Sequence, residues 1–492
     1  MIYLVTKNHE LFENSIYKII SLEDSIKELE NWDVIQFDTE TSGRDAHICD
    51  ILCAQFGNKT LEKQIVVDCS CIDIKNYKHI LETKELIGHN LKFDCQFLYK
   101  YNIVPTKVWD TMIIEQLLHL GYDSNFFHYS LKDVAHRRLN IDIDKTVRGE
   151  IIWRGLDSEV IKYAAGDVIF LEDIKEQQLQ ECIVKNCKTA ANIENNFVPV
   201  IAYLEWCGIK LDTNKWNEKI KNNQEILNTN KNKLDTWLVN KSKQDSRFKE
   251  FVHIDLQGDL FSGFDSEPKC IINWDSSSQV TKLVKLLGFD TKTSDKKTGV
   301  SKDSIVESVL SKQKGINDEF LNIYFAFKAA SKECSTYGQN YLDAINPLTG
   351  RIHTVFRQLG AASGRMSCGS NNSNTDLAKL KKLPASRCKY PQLQNLPADQ
   401  ITRSAFVAED GNLFTSADYS ALESRLGADI YNEPEMLKEF LEGSGDMHSL
   451  CAKLVFHEEL KDIEVKDIKK LRPDLRKKVK SVEFAKQFEI FL

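Results

Sequence analysis

The chain has 492 residues, 42% of them hydrophobic and 28% charged, with a formal net charge of −7. That length exceeds a single hydrophobic core and predicts roughly two to four domains of ordinary globular composition. The acidic balance argues against a protein coated in nucleic acid, although it leaves local fields open. No long apolar run is present and the opening MIYLVTKNHELFENS meets polar residues at once, so neither a transmembrane helix nor a secretory leader is predicted. The thirteen cysteines are scattered, which fits a reducing cytoplasm, and Cys69 and Cys71 sit too close together for a zinc knuckle.

From residue 1 to about 190, apolar β-rich runs alternate with helix-like patterns, which predicts an α/β layer fold. Ser21-Leu-Glu-Asp24 reads as a capping box opening a helix that leads into the strand Val34–Phe37. Asp38-Thr-Glu40 follows that strand, and residues two apart on a strand point the same way, so both carboxylates project together. Paired acids repel unless cations neutralise them, and oxygen ligands of this kind suit Mg²⁺ or Mn²⁺. In a chain with 72 acidic residues, Asp-x-Glu by itself reads as a solvated strand end. Two further segments change that reading. The apolar Leu86-Ile-Gly precedes His89 and Asn90, with Asp94 at a helix start, and Tyr163-Ala-Ala-Gly-Asp167 puts Tyr163 and Asp167 on one helical face. His89 reads as structural.

This ordered set of Asp-x-Glu, Asn-x-x-aromatic-Asp and Tyr-x-x-x-Asp resembles the DEDDy class of 3′→5′ exonucleases, with a ribonuclease-H-like order of strands and helices. The resemblance implies two divalent ions per active site. Asp38 would bridge them, and Glu40, Asp94 and Asp167 would complete their shells. Tyr163 would orient the attacking water and Asn90 would support the site by hydrogen bonding.

Residues 191–345 are Lys/Asn-rich with helical periodicity, interrupted near 255–300, and predict an elongated helical region with an exposed insertion. From 346 onward, turn-formers and short strands return, followed by helices. Ser363-Gly-Arg365-Met, Gln392-Leu-Gln394-Asn395-Leu-Pro397 and Arg403-Ser-Ala-Phe406 precede Leu413-Phe-Thr-Ser-Ala-Asp418, read as an acid at the end of an apolar strand. Tyr419, Glu423 and Arg425 follow on a helix-like stretch, then Asp446-Met-His448. A last helix carries Arg476, Lys480, Phe484 and Phe488 at steps of four, within a stretch from Lys461 to Lys486 that holds ten Lys/Arg against five Asp/Glu. Cations and aromatics on one face suit phosphates and a stacked base.

In this order the segments resemble the family A DNA polymerases, relatives of bacterial DNA polymerase I. The implied architecture is an exonuclease domain (1–190), a helical thumb region with an insertion (191–345), and partial palm and fingers of a right-hand polymerase (346–492). The resemblance implies that Asp418 and the Tyr419 carbonyl bind metal and that Glu423 excludes a ribose 2′-hydroxyl. Arg403, His448, Arg476 and Lys480 would hold the triphosphate, with Phe484 on the base or sugar. Arg365, Gln394 and Asn395 would touch the primer–template. The expected partners are primer–template DNA, a single-stranded 3′ end and dNTPs, in the cytoplasm, or the host cytoplasm for a phage-encoded enzyme.

Four departures stand out. Phe488 and Ala485 replace a tyrosine and a glycine, a Lys/Asn/Ser-rich insertion lies between Met366 and Gln392, and no 5′-nuclease domain precedes the exonuclease. The fourth is that the family's His-Asp-Glu turn, with the second palm aspartate, is expected beyond Leu492; His457-Glu-Glu459 precedes the finger helix and has no aspartate. The expectation is a polymerase gene split by an intron, intein or frameshift, a second chain supplying the rest, and no primer extension by this chain alone. Two other readings are an exonuclease whose polymerase region only binds primer–template, and a non-catalytic DNA-binding accessory subunit. The intact nuclease set argues against the latter.

Overall fold

The β-branched and aromatic runs of the N-terminal third assemble into one mixed sheet of seven strands. These are β1 (Ile2–Val5), β2 (Tyr17–Ile19), β3 (Val34–Thr41), β4 (Ile51–Asn58), β5 (Lys63–Asp68), β6 (Glu85–Gly88) and β7 (Lys107–Asp110), ordered β2-β1-β5-β4-β3-β6-β7. This computed structural model describes residues 1–122, 127–143, 147, 149–253, 268–294, 300–313 and 315–479. It divides into two compact units, Met1–Asp410 and Gly411–Leu492. Strands β3, β4 and β5 pair antiparallel, and the remaining neighbours pair parallel. β3 runs past Phe37 through both acids, because β4 carries the ladder on to Glu40 opposite Cys53. Phe37, Phe56, Ile65, Tyr77 and Leu98 are fully buried around it, each stabilising the fold by roughly 1.5–3 kcal/mol.

Helix α1 (Leu22–Glu30) begins as the capping box requires, with Ser21 Oγ accepting the Asp24 N–H at 3.0 Å. Three further helices, α2 (Leu91–Lys100), α3 (Thr111–Leu118) and α4 (Ser158–Gly166), bring side chains to the sheet. Next, α5 (Lys188–Cys207) lies against α2, and the Tyr99 hydroxyl donates to the Pro199 carbonyl at 2.7 Å.

The Lys/Asn-rich region forms α6 (Thr213–Gln244), a 32-residue helix, beside α7 (Asp318–Thr336). Leu234, Leu238, Phe320, Tyr324 and Phe327 make their shared core; nearer its start, α6 buries Trp216 in a separate cluster with Leu211, Tyr341 and Ile352. Just before α6, β8 (Ile209–Leu211) joins β9 (Ile345–Asn346), β10 (Arg351–Ile352) and β11 (Phe406–Val407) in the order β9-β10-β8-β11. This small sheet ties residues beyond 345 to residue 209. The composition boundaries at 190 and 345 therefore fall inside the first unit, whose edge is Asp410.

The second unit carries α8 (Leu422–Tyr431), α9 (Pro434–Leu441), α10 (Met447–Val455) and α11 (Val465–Leu471), with Ala452, Leu460, Ile468, Leu475 and Val479 as a small core. The strand expected ahead of Asp418 is not formed. Residues 412–419 have no regular structure, and Leu413, Phe414 and Tyr419 are 93%, 60% and 80% exposed. An extended segment becomes a strand only when its N–H and C=O groups pair with a neighbour, and 412–419 has no ladder partner among the described residues. No helix among the described residues is long and apolar enough to cross a membrane.

Candidate active sites

Strand alternation places Asp38 and Glu40 on one face of β3 and Thr39 on the other. Gln55, directly opposite Asp38 on β4, donates from Nε2 to Asp38 Oδ2 at 3.1 Å. Asp167 arrives from the far side of the chain as the residue closing α4, its N–H bonded to the Ala164 carbonyl at 3.3 Å. Ligand atoms of Asp38, Glu40 and Asp167 all lie within 4.8 Å of one another, and Asp167 is buried. Three carboxylates this close raise one another's energy unless a cation sits among them, and an all-oxygen donor set fits a hard divalent ion. One helical turn before Asp167, Tyr163 faces the same group. Burial, with the charges of Asp167 and Glu40, pushes its phenol well above the ordinary range, so the hydroxyl stays a donor.

Asp94 stands outside that trio. It lies in the first turn of α2, 2% exposed, and accepts a 2.6 Å bond from Thr39 Oγ1. Burial pushes its carboxyl up to about 7, against the downward pull of the Thr39 bond. Asn90, which begins α2, has a left-handed backbone (φ 67°, ψ 42°) and makes no side-chain cap bond. Its N–H donates instead to Asp110 Oδ1 at 3.0 Å. His89 is held between Thr111 Oγ1 at 3.0 Å and the Tyr129 carbonyl at 2.9 Å, as a structural residue would be.

Sequence reasoning missed Thr39, Gln55 and Asp110. Asp110 caps α3 through the Met112 and Ile113 N–H groups at 2.9 and 3.2 Å while also holding the start of α2. Its signal was present: an acid directly before the apolar helical run Thr111–Leu118 reads as an N-cap.

In the first unit, Arg365 is exposed in a turn, its carbonyl accepting the Ala361 N–H at 3.1 Å. Gln394 donates from Nε2 to the neighbouring Met366 carbonyl at 3.2 Å, and the Asn395 carbonyl accepts the Tyr337 hydroxyl at 2.6 Å. The structure thus brings Gln394 against the residue that follows Arg365. Arg403 is exposed on the short helix Gln400–Ser404.

In the second unit, Asp418 and Tyr419 are exposed, Glu423 is exposed in the first turn of α8, and His448 is half-buried in the first turn of α10. Arg476 makes a two-pronged ion pair with Asp446, at 3.0 and 2.8 Å. Asp446 also caps α10 and accepts the Ser449 hydroxyl at 2.8 Å. Against the upward push of burial, Arg476 and Ser449 hold the Asp446 carboxyl below the usual range. Lys480, Phe484, Ala485 and Phe488 lie outside the described residues.

Residues 14–182 match the family model for 3′-5′ exonuclease, and residues 265–490 match that for DNA polymerase family A. Among curated proteins the chain is similar to DNA polymerase I of Aquifex aeolicus, 28% identical over 90% of this chain and 67% of that one. It is also similar to DNA polymerase I of Borreliella burgdorferi, 26% identical over 96% and 46%, and of Pseudomonas aeruginosa, 26% identical over 93% and 46%. The chain therefore spans between about half and two-thirds of the length of these relatives. Its fold is similar to a solved structure of the polymerase domain of Pol1 from M. smegmatis, in complex with DNA primer-template and dNTP. The TM-score is 0.67 at 18% identity, covering 98% of this chain and 70% of that one. The chain thus carries a segment of the DNA polymerase family A type at residues 265–490, with a 3′-5′ exonuclease segment ahead of it at residues 14–182.

Proposed function

We propose that the protein is a DNA-directed DNA polymerase with a 3′→5′ proofreading nuclease, acting in DNA replication. The observation that carries the nuclease reading is the trio Asp38, Glu40 and Asp167 with Tyr163 beside it, inside the segment that matches the exonuclease family. Asp38, Glu40 and Asp167 would hold divalent cations, Mg²⁺ or Mn²⁺, two per site, with Asp94 completing the shell. A bound cation of this kind supplies a Lewis acid beside the scissile phosphate and neutralises charge developing on the leaving 3′ oxygen. Gln55 fixes one oxygen of Asp38, Thr39 fixes Asp94, and the protonated Tyr163 hydroxyl orients the attacking water by donating or accepting one hydrogen bond.

For the polymerase, Asp418 and the Tyr419 carbonyl are the proposed metal ligands, and Glu423 is the residue that rejects a 2′-hydroxyl. Arg403, His448, Arg476 and Lys480 hold the triphosphate, with Phe484 on the base, while Arg365, Gln394 and Asn395 contact primer–template. The M. smegmatis protein was solved with primer-template and dNTP, and the same classes of substrate are proposed here, met in the cytoplasm. The ion pair with Asp446 holds Arg476 in one orientation, so a phosphate would meet a guanidinium already ordered.

The test is shortening of 3′-extended single-stranded DNA. The chain removes nucleotides from the 3′ end only with Mg²⁺ or Mn²⁺ present, and the double variant Asp38→Ala, Glu40→Ala is inactive. Wild-type-like shortening by that variant sinks the reading.

A further inference from the structure

We infer that Asp376, in the segment that matches the polymerase family, is a positioning residue for the exonuclease site, acting on Glu40 through the loop that follows it. This rests on the nuclease reading above. The β3–β4 register slips between Glu40 and Thr41, where Thr41 pairs with Ile51. Beyond Glu40, regular pairing alone no longer fixes the strand, and the loop of residues 42–50 contributes to its placement.

Inside the loop, the Ser42 N–H donates to the Asp50 carbonyl and the Asp50 N–H to Ser42 Oγ, both at 2.9 Å. The Asp45 carbonyl accepts the Ile48 and Cys49 N–H groups at 3.0 and 2.8 Å, and Lys100 Nζ donates to the Cys49 carbonyl at 2.7 Å; the Arg44 and Asp45 N–H groups are taken by another segment. Asp376 Oδ2 accepts the Arg44 and Asp45 N–H groups at 2.7 and 3.2 Å, and Asn374 Nδ2 donates to Asp45 Oδ2 at 2.9 Å. Ile48 packs against Leu377, Ala378 and Cys388 from the same segment. The approach is close: a Cβ on Gly43 would meet Asp376 Oδ2 at 3.0 Å and Cys49 Sγ at 2.4 Å, so a larger residue there would push against both side chains.

The brace has a firm root. Strand Ser370–Ser373 pairs with Lys389–Tyr390. Lys381 Nζ donates to the carbonyls of Leu342, Asp343 and Ile345 at 3.1, 2.7 and 3.1 Å, and Arg387 pairs with Asp343 at 2.8 and 2.9 Å. Asp376 and Asp45 are both acidic, and placing them together costs Coulomb energy that the donated N–H groups offset. A residue whose acceptors hold two loop N–H groups would, on removal, free the loop and loosen the Glu40 carboxylate.

The readout is the Mg²⁺ concentration at half-maximal 3′-end shortening by the full chain, with thermal melting alongside. Asp376→Ala raises that midpoint about 5-fold, below the ~10–100-fold typical of groups bonded directly to a metal ligand. Asp376→Asn, which keeps an acceptor oxygen, stays within about 2-fold of wild type. An unchanged midpoint in Asp376→Ala overturns the inference, and so does a lowered melting temperature with an unchanged midpoint. If Asp376→Ala does not fold, Asn374→Ala decides: a rise of about 3-fold or more supports the brace, and a midpoint within about 2-fold of wild type overturns it. A wild-type chain with no Mg²⁺-dependent shortening is a different result and removes the nuclease reading itself.

Discussion

Tyr163 and Asp167 are one helical turn apart, yet burial and charge give them opposite tasks. The carboxylate joins Asp38 and Glu40, while the phenol, pushed up by burial and by those same carboxylates, keeps its proton. A group that only orients water contributes to the rate and not to binding. Tyr163→Phe is therefore expected to lower kcat for 3′-end removal by roughly 10- to 100-fold, at or below the lower end of general acid–base effects, with KM for single-stranded DNA unchanged. Steady-state kinetics at saturating Mg²⁺ checks this, and an equal rise in KM would make Tyr163 a substrate-binding residue instead. Asp38, Glu40, Tyr163 and Asp167 were legible in the sequence only as an ordered set of motifs: strand and helix periods put each pair on one face, but Asp-x-Glu by itself reads as a solvated strand end. Gln55 was not, because its place opposite Asp38 depends on which strand β4 pairs with and in which register. Thr39 was overlooked for the same reason, since its partner Asp94 is 55 residues away along the chain.

At the scale of elements, α5 joins the sheet to the segment around residue 355. Glu205 on α5, 4% exposed, accepts Lys92 Nζ at 2.7 Å and the Phe356 N–H at 2.6 Å through Oε1, and Gln96 Nε2 at 2.6 Å through Oε2. Lys92 and Gln96 belong to α2, the helix that carries Asp94. Glu205→Ala would leave the Lys92 ammonium half-buried without its carboxylate and is expected to destabilise the fold by about 3 kcal/mol, read from chemical denaturation. Glu205→Gln, which keeps the acceptor oxygen, should cost less. Beside it, the His47 ring stacks on Trp206 at 3.9 Å and meets His353 at 4.2 Å. Burial, then the neighbouring His353, lowers His47 from 6.5 to about 4. Below pH 6.5 the unfolded chain takes up a proton that the folded chain refuses until about 4, so this contribution is fully present above 6.5 and is lost as pH falls through that window. The melting temperature should fall more steeply from pH 6.5 to 4.5 in wild type than in His47→Phe, by about one proton's worth of slope; parallel slopes would show that His47 does not carry this linkage. The strand, capping box and helix that frame Asp38 and Asp94 were readable from pattern and cap chemistry. The Leu413–Ala417 strand was misread because an apolar, extended run states a propensity, and only a pairing partner turns it into a strand.

Across the whole molecule, family and compact unit do not share a boundary. The exonuclease match ends at residue 182 and the polymerase match begins at 265, but the first unit continues to Asp410 because β8 pairs with both β10 and β11. Composition could not reveal this, since two- and three-residue strands leave no periodic signal and their pairing spans about two hundred residues. The unit edge is followed by residues 412–419, which lack regular structure and expose Leu413, Phe414 and Tyr419. Backbone without ladder or helix bonds is where proteases enter a folded chain. Brief treatment with a low amount of chymotrypsin is therefore expected to cut after Leu413, Phe414 or Tyr419. All four residues of the carboxylate–tyrosine site, and the loop that Asp376 braces, lie before this point. The fragment ending at the cut should keep Mg²⁺-dependent 3′-end shortening within about 3-fold of the intact chain, a difference of under 1 kcal/mol in activation free energy. Mass spectrometry of the fragments and a nuclease assay on the purified N-terminal piece check both halves. A segment that resists cleavage would mean that 412–419 is covered in solution, and an inactive fragment would mean that the nuclease site draws on residues beyond Asp410.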